Sequence, residues 1–389
     1  MFGSLFRRHH DVPVLVANVE SGSVAAAVIL PSQKGPVRVV VAERADAALE
    51  NRSPDQAKVA TTGTLAEVAK KVVEKYTATD EARKHGPVQE LHCIVGPSFS
   101  KARTVQKVKT FESEQQVNQQ LIQSLATEAL QAPSDLDASN ILETKVTRVL
   151  INGYPTGEPV GKRAQTLTVV AFQTDINAGV RADIEHALGT YAPGRPVAIH
   201  SQTHAALNIL HEQSPDLQRY LLIMMGSDAT HCITVREDEL TAHVSAPTGT
   251  STVLATLAGQ SGSLDETLSL VRMVNNDTCN DETCKKVEAS LAQAETALVK
   301  AFGDVFAQLS VTLRVPNECI LITRAEMAPW LENFFERLDF SQFSITSQPL
   351  NVLSLTSAHL AQFVAWGTGV KEDTGIGIAA AFVNINQSS

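Results

Sequence analysis

The stretch LLIMMGSDATHCITV (residues 221–235) decides how the rest of this chain is interpreted. Two apolar runs flank a short group of turn formers, so the segment predicts a strand, a tight turn and a second strand. A similar pattern occurs in VPVLVANVESGSVAAAVIL (residues 12–30), where residues 18–23 form the polar tip. Two hairpins with polar tips, each followed by further helices and strands, predict a chain built from two halves.

Hydrophobic periodicity in the remaining sequence predicts alternating strands and helices, and therefore an α/β fold. Further strands or extended segments are predicted at 37–42, 89–96, 145–151, 166–172, 197–200, 239–245, 318–323 and 345–353. Helices are predicted at 64–76, 117–129, 177–188, 203–211, 327–338 and 358–366, and they dominate 251–309. Residues 53–62 and 77–87 are predicted to be surface loops. Ser113 and Gln116 have the spacing of a capping box, which predicts that a helix begins there.

The order of these elements divides the chain into four segments. Residues 1–84 begin the first half, residues 182–220 complete it, and residues 221–389 form the second half. Residues 85–181 follow the order strand, helix, strand, strand, with the turn-forming run NGYPTGEPVGK between the last two strands. We interpret this block as a smaller unit inserted into the first half.

Composition excludes several classes of protein. The 389 residues are 43% hydrophobic and 19% charged, which is ordinary for a soluble globular protein. A formal net charge of -10, with no long basic block, argues against a nucleic-acid-binding role. No apolar run approaches the roughly 18 to 20 residues that span a bilayer. Five scattered cysteines do not suggest a disulfide framework, so we expect a cytoplasmic protein.

The first residues combine apolar and basic side chains. MFGSLFRRHH lacks the apolar core of a secretory signal. It nevertheless places Phe2, Leu5 and Phe6 beside Arg7 and Arg8, a minimal combination for peripheral contact with an anionic membrane surface. The alternative is a frayed terminus without function, because one helical turn is marginally stable.

Possible zinc ligands occur near the middle of the second half. Cys279 and Cys284 are separated by four residues, within the range of zinc-binding pairs, and His231 or Cys232 could complete a set. No second pair follows at a recognisable spacing. We therefore expect free thiols and no metal site here.

Other metal and catalytic patterns are also weak. His200, His204 and His211 lie close in sequence, but solvated or capping histidines explain this spacing as well as a metal site does. The acidic run NNDTCNDE (275–282) lacks the regular ligand spacing of a calcium loop. No Gly-x-Ser-x-Gly, His-Glu-x-x-His or Walker motif occurs.

The order of elements resembles that of the actin-like ATPase superfamily, and within it the bacterial FtsA/PilM branch. The block 85–181 looks like the SHS2 module that replaces one actin subdomain in that branch. Its segment ILETKVTRVLINGYPTGEPVGKRAQTLTVVAF (141–172) resembles the part of these proteins where an NGY…P-x-G turn joins two strands. The resemblance covers residues 14–385. It implies a two-lobed actin-like (ribonuclease H-like) α/β fold with an inserted SHS2 subdomain.

The first phosphate loop of the family has an Asp-x-Gly-Thr/Ser core. In this sequence the acid falls on Asn18, the glycine on Glu20 and the hydroxyl on Ser21. Glycine lets backbone amides approach phosphate closely, whereas a carboxylate repels the same anion. Two unit charges ~4 Å apart interact by roughly 4 kcal/mol at an intermediate dielectric.

The second phosphate loop of the family reads Asp-x-Gly-x-Gly-Thr. The acid falls on Met224, the first glycine on Gly226 and the second on Asp228. The threonine falls on Ala229, with Thr230 available by a shift of one residue. A carboxylate again stands where the resemblance places a phosphate.

The adenosine-side motif of the family is a Gly-Gly turn after a buried strand. It falls on Thr323 and Arg324, and neither residue matches. Loss of one preorganised stabilising group costs roughly 10² to 10³ in rate, and here several are missing. We therefore expect no cofactor: ATP with magnesium binds weakly or not at all, and the chain is not an enzyme.

The resemblance implies a cytoplasmic scaffold on the inner face of the inner membrane, with protein partners there and possible self-association. The NGY…P-x-G segment favours an FtsA-like protein that links a division ring to the membrane. A PilM-like pilus assembly protein is the alternative, suggested by the MFGSLFRR start. An actin-fold ATPase would need acids at positions 18 and 224, and a third alternative is a protein that binds another small molecule in the old cleft. The insert's exposed strand edge is the expected interaction surface.

Overall fold

The computed structural model describes residues 12–47, 54–258, 264–275, 281–311 and 313–388. The predicted membrane contact at Phe2, Leu5, Phe6, Arg7 and Arg8 lies outside the described residues, as do Cys279 and the side chain of Cys284. In the described part, no helix is both long and apolar enough to cross a bilayer.

The first sheet grows from the hairpin predicted at residues 12–30. Ser21 and Gly22 form its turn, and the positive φ of 79° at Gly22 is a conformation that glycine adopts without strain. The sheet consists of β1 (Val14–Glu20), β2 (Ser23–Leu30), β3 (Val37–Asp46), β4 (Glu90–Val95), β9 (Val197–Ser201) and β15 (Val364–Trp366). Their order across the sheet is β15-β3-β2-β1-β4-β9, with β4 parallel to both β1 and β9.

The second sheet repeats the plan around the hairpin at residues 221–235. It contains β10 (Arg219–Met225), β11 (Thr230–Arg236), β12 (Glu239–Ala246), β13 (Glu318–Ile322) and β14 (Asn351–Ser354), in the order β12-β11-β10-β13-β14. As in the first sheet, an antiparallel hairpin is flanked by a parallel strand, here β13 beside β10. The two halves therefore share an architecture, as the two hairpin tips predicted.

Helices cover both faces of the two sheets, except α3, which packs on the sheet of the inserted unit. They are α1 (Pro54–Thr77), α2 (Asp80–His85), α3 (Gln119–Leu130), α4 (Ala178–Gly189), α5 (Gln202–Gln213), α6 (Thr250–Ala258), α7 (Leu264–Asn275), α8 (Asp281–Leu309), α9 (Ala328–Arg337) and α10 (Thr374–Ser388). Side chains of α1 and α4 share a buried cluster with the outer face of the first sheet, and those of α6 to α9 share one with the second sheet.

A shared core joins the two sheets. One buried cluster contains Val16 of β1, Ala206 of α5, Leu222 of β10 and Ala380 of α10. Because α5 and α10 contribute to the same cluster as strands of both sheets, they fix the two halves against each other through a continuous apolar contact.

The inserted unit has its own sheet and its own core. Its strands are β5 (Ala102–Gln116), β6 (Ile141–Ile151), β7 (Tyr154–Pro155) and β8 (Arg163–Asp175), in the order β5-β8-β6-β7. Leu125 of α3 and Leu167 and Val169 of β8 are fully buried in its core. The four-stranded sheet therefore lies within the predicted block 85–181.

Two expectations about this block were wrong. The strand predicted at 89–96, β4, belongs to the first sheet, and the insert instead begins with β5, for which no strand was predicted. Ser113 and Gln116 lie in β5, and the cap of α3 is Asn118, whose side chain accepts a hydrogen bond from the Leu121 amide at 2.8 Å. Most of β5 is exposed, so it lacks the apolar alternation that reveals a half-buried strand.

Three further expectations also fail. Most of the loop predicted at 53–62 is the first part of α1, and the loop at 77–87 contains α2. The helix predicted at 358–366 consists of turns followed by β15, which exists through its parallel pairing with β3. Pairing between residues far apart in sequence leaves no local pattern, so β15 could not be recognised from the chain alone.

The insert is fastened to the first half by Glu143 of β6. Its Oε1 lies 2.9 Å from His200 Nδ1 and 3.0 Å from His204 Nδ1, and its Oε2 accepts from the Ser201 amide at 3.1 Å. Burial acts to raise the pKa of Glu143, but the hydrogen bonds and charges of the two histidines outweigh burial and lower the pKa to about 2. The predicted histidine neighbours thus hold a carboxylate rather than a metal.

The Glu143 contact predicts a defined acid sensitivity. Since its pKa falls from an ordinary 4.5 to about 2, the stabilisation is complete above about pH 4.5 and disappears as the pH falls towards 2. We expect Glu143→Gln to lower the free energy of unfolding by roughly 2 to 3 kcal/mol at pH 6 and by much less at pH 3. Chemical denaturation of both proteins at the two pH values measures this, with the exposed Glu112→Gln as control. An equal difference at both pH values would contradict the assignment.

Candidate functional site

The tips of the two hairpins meet. Ser21, between β1 and β2, donates a hydrogen bond from Oγ to Oδ2 of Asp228, between β10 and β11, at 2.5 Å. Beside this contact lies a cavity of about 240 Å³ between the two halves. Residues predicted from both phosphate loops and from the adenosine motif line it: Glu20, Ser21, Met224, Gly226, Thr323 and Arg324.

At the first tip, Asn18 and Glu20 bond to each other. Asn18 is 1% exposed, and its Nδ2 donates to Glu20 Oε1 at 2.8 Å. Gln202, the first residue of α5, donates from Nε2 to the same oxygen at 2.7 Å. Two side-chain amide groups thus hold the Glu20 carboxylate in place on the cavity wall. The phosphate-loop motif of the actin-like ATPases has a glycine at this position.

At the second tip, the acid position is part of the core. Met224 is 4% exposed and belongs to the apolar cluster that joins the two sheets. The turn is closed by the Gly226 amide, which donates to the Ala229 carbonyl at 3.0 Å. Thr230 donates from Oγ1 to the Thr248 carbonyl at 2.6 Å. The hydroxyl of Thr230 is therefore engaged by backbone of its own half, and the Met224 thioether offers no ligand for a hard metal ion.

At the adenosine-side position, the Thr323 side chain stays within the second half, whereas the Arg324 side chain reaches the first half. Thr323 donates from Oγ1 to the Met225 carbonyl at 3.2 Å, which ties the end of β13 to β10. Arg324 Nη1 lies 3.3 Å from Oδ1 of Asp46, at the end of β3 in the first half. A long charged side chain therefore spans the two halves at the position where the motif has glycine.

Carboxylates neutralise all three of the lysine and arginine side chains that line the cavity: Arg44, Arg324 and Lys371. Arg44 Nε donates to Asp373 Oδ2 at 2.6 Å, and Lys371 Nζ lies 3.6 Å from Glu326 Oε1. Burial acts to raise the pKa of Asp373, but Arg44 outweighs it and the pKa is lowered. Glu326 likewise has its pKa lowered to about 2, because hydrogen bonding to Arg272 and nearby positive charges outweigh burial.

Comparison with solved structures identifies the architecture. The chain matches the PilM-PilN type IV pilus biogenesis complex at 12% identity with a TM-score of 0.55, over 97% of this chain and 99% of that one. The chain has the actin-like ATPase fold. No protein-family model and no curated protein matches it.

Two further structures with lower scores belong to the same set of matches. The ethanolamine utilization protein EutJ from Carboxydothermus hydrogenoformans matches at 11% identity and TM-score 0.45, over 95% of this chain and 88% of that one. A Bacteroides thetaiotaomicron protein with an actin-like ATPase fold and unknown function matches at 10% identity and TM-score 0.40, over 96% of both chains.

A series of hydrogen-bonded side chains, two of which line the cavity, also connects the two halves. Ser98 Oγ is 3.0 Å from His231 Nε2, and His231 Nδ1 is 3.1 Å from His243 Nε2. Burial, and then the neighbouring His243, lower the pKa of His231 to about 3, so it is neutral at physiological pH. This contact links the loop before the insert to the second half.

Three of the histidines considered as possible metal ligands are paired with carboxylates in different places. Among the described residues, no group of three or more histidine, cysteine or acidic side chains is arranged to hold a metal ion. His200 and His204 bind Glu143, whereas His211 pairs with Asp238 at 3.2 Å. Cys232 is buried in a strand, away from any such group.

Sequence reasoning located the predicted residues of the two tips but missed most of the residues that neutralise the cleft. Arg44 and Asp373 are 329 positions apart, and Gln202 lies 182 positions from Glu20. No spacing rule relates such pairs. Local sequence does not single out Arg44 either, because its strand, β3, also contains Arg38, Glu43 and Asp46.

Gly249, between β12 and α6, packs against the backbone of the second tip, and its substitution tests this packing. A Cβ on Gly249 would lie closer to the carbonyl oxygens of Gly226 and Ser227 than side chains approach, whereas a Cβ on Gly303 of α8 meets nothing within 4 Å. We expect Gly249→Ala to destabilise the protein by about 1 to 3 kcal/mol. Gly303→Ala is expected to stabilise it by up to about 1 kcal/mol, because alanine favours the helix. Thermal or chemical unfolding measures both, and effects of the same sign would contradict this packing.

Proposed function

We propose that this protein is a non-catalytic scaffold whose interlobe cleft is held by its own side chains instead of a nucleotide. The observation that carries the proposal is a set of polar contacts across the cleft. Ser21 meets Asp228 at 2.5 Å, Arg324 meets Asp46 at 3.3 Å, and Lys371 meets Glu326 at 3.6 Å. The first two contacts join the first half to the second, and the third pairs two residues of the second half.

These contacts oppose a polyphosphate in two ways. The cavity wall presents the Glu20 carboxylate near the expected phosphate position, and a second carboxylate, Asp228, stands at the other tip. The cationic side chains that could offset them are already paired with carboxylates of the protein. A phosphate bound to Arg44 or Arg324 would have to break a largely buried pair, and removing one partner of such a pair costs roughly 3 to 5 kcal/mol.

The packing of Met224 also bears on the alternative of an apolar ligand. Met224 is buried in the core between the sheets, so its thioether stabilises the halves instead of forming a free apolar floor. This favours the scaffold over a protein that binds a small apolar molecule in the cleft.

The setting we propose is a membrane-associated bacterial assembly, on the cytoplasmic face of the inner membrane. The neighbour matched over nearly its whole length belongs to a type IV pilus biogenesis complex, which supports a PilM-like role. The NGY…P-x-G segment, which favoured an FtsA-like division role, forms the β6–β8 connection of the insert and does not discriminate between the two. We therefore propose the pilus role first. The division role is the alternative, and deletion of the gene distinguishes the two.

Nucleotide titration tests the closed cleft. Calorimetry with magnesium ATP is expected to show no saturable binding below millimolar concentration, and phosphate release should equal the buffer rate. Glu20→Gln with Asp228→Asn removes both charges, so affinity should rise by roughly tenfold or more. The exposed pair Glu114→Gln with Glu288→Gln is the matched control. Micromolar affinity in the unmodified protein would refute the proposal.

Deletion of the gene in its host tests the setting. A pilus role predicts loss of surface pili with normal cell length, and a division role predicts filamentous cells with intact pili. Complementation with the Glu20→Gln/Asp228→Asn variant should succeed in either case, since the scaffold role does not use nucleotide. Neither phenotype, or failure of a folded variant to complement, would contradict the proposal.

A further inference from the structure

A groove of about 720 Å³ lies along the insert, where Asp238 of the second half also lines it. Apolar side chains of α3, β6, β7 and the loop after β7 line it: Ile122, Val146, Val149, Pro155, Pro159 and Val160. Val146 is 36% exposed and Val160 is 56% exposed. Burial of these apolar side chains against another apolar surface is favourable in free energy.

The floor of this groove is a strand edge. β7 pairs only with Leu150 and Ile151, so the rest of β6 has β8 on one side and no strand of the described chain on the other. The Val149 carbonyl accepts from the Thr156 amide at 3.0 Å, which closes the groove at one end. An open edge beside apolar walls accommodates an extended segment by strand addition.

The charge of the groove specifies its occupant. Its charged lining residues are Arg148, Glu158 and Asp238. Arg148 is already neutralised by Glu237, at 2.5 Å, and by Glu239. Glu158 has no ion-pair partner among the described residues, so the groove presents uncompensated negative charge beside apolar walls. A segment with apolar side chains followed by basic ones is complementary to it.

We propose that this groove binds the N-terminal segment of a second copy of this chain. Residues 1–11, MFGSLFRRHHD, lie outside the described part and contain this composition. Phe2, Leu5 and Phe6 supply apolar groups for the walls, and Arg7 and Arg8 supply positive charge for Glu158. The proposal concerns self-association and does not depend on whether the cleft binds nucleotide.

The N-terminal segment is too short to reach the groove of its own molecule, which favours binding to a second copy. The chain enters the first sheet at Val14, which pairs with the first residue of β4. The insert begins after the last residue of β4, so the length of this six-residue strand, about 20 Å, separates the two points. From Asp175, at the root of the insert, to Val169, opposite Val149, β8 runs about 20 Å further. With residues 2–8 in the groove, the five residues that remain before Val14, residues 9–13, extend only about 17 Å.

A charge exchange tests the pairing. Sedimentation velocity of the full chain over a concentration series should show reversible association. Arg8→Glu alone and Glu158→Lys alone should each weaken association by roughly tenfold, because each places like charges together. The combined variant restores opposite charges and should recover most of the affinity. Glu288→Lys, the same charge change on an exposed residue of α8, is the control and should leave association unchanged.

Several outcomes would overturn the proposal. One is a chain that stays monomeric at all concentrations, and another is association that neither single substitution weakens. Failure of the combined variant to recover, with circular dichroism showing that it is folded, would also exclude this pairing. Binding of the monomeric chain only to vesicles of anionic phospholipid, abolished by Arg8→Glu, would assign the segment to a membrane surface instead.

Discussion

The apolar core that α5 and α10 share with both sheets is the constraint on which the rest of the structure depends. It joins Val16 on one side to Leu222 on the other through tightly packed small side chains such as Ala206 and Ala380. A large hydrophobic contact of this kind restricts rotation of one half against the other. The two hairpin tips are consequently held close enough for Ser21 and Asp228 to form a hydrogen bond.

The electrostatics of the cleft follow from that fixed separation. Buried charges are tolerated only when paired, and the cleft pairs each of its lysine and arginine side chains with a carboxylate across or beside the gap. Replacing glycines by Glu20 and Asp228 adds negative charge at the tips, and those carboxylates are held by Asn18, Gln202 and Ser21. The positive charges of the cleft are thus neutralised by carboxylates of the protein itself.

The sequence predicted the parts of this molecule that leave a local pattern. Both hairpins were recognisable because continuous apolar strands flank polar turns, and their polar tips did meet in space. β5 was missed because its side chains are largely exposed, and β15 because three residues form a strand only by pairing with β3. Of the site, the tip residues were found, while Arg44 with Asp373 was not, since that pair is formed by the tertiary fold alone.

The parallel pairing of β15 with β3 has a consequence for biosynthesis. Val364 lies beside Val37, so the first sheet acquires its edge strand, and then the covering helix α10, only after every strand of the second sheet has been translated. Until then, the inner apolar face of β1 and β2 has no cover from α10. A nascent chain of this topology is expected to engage ribosome-associated chaperones, and its folding is limited by contacts between its beginning and its end.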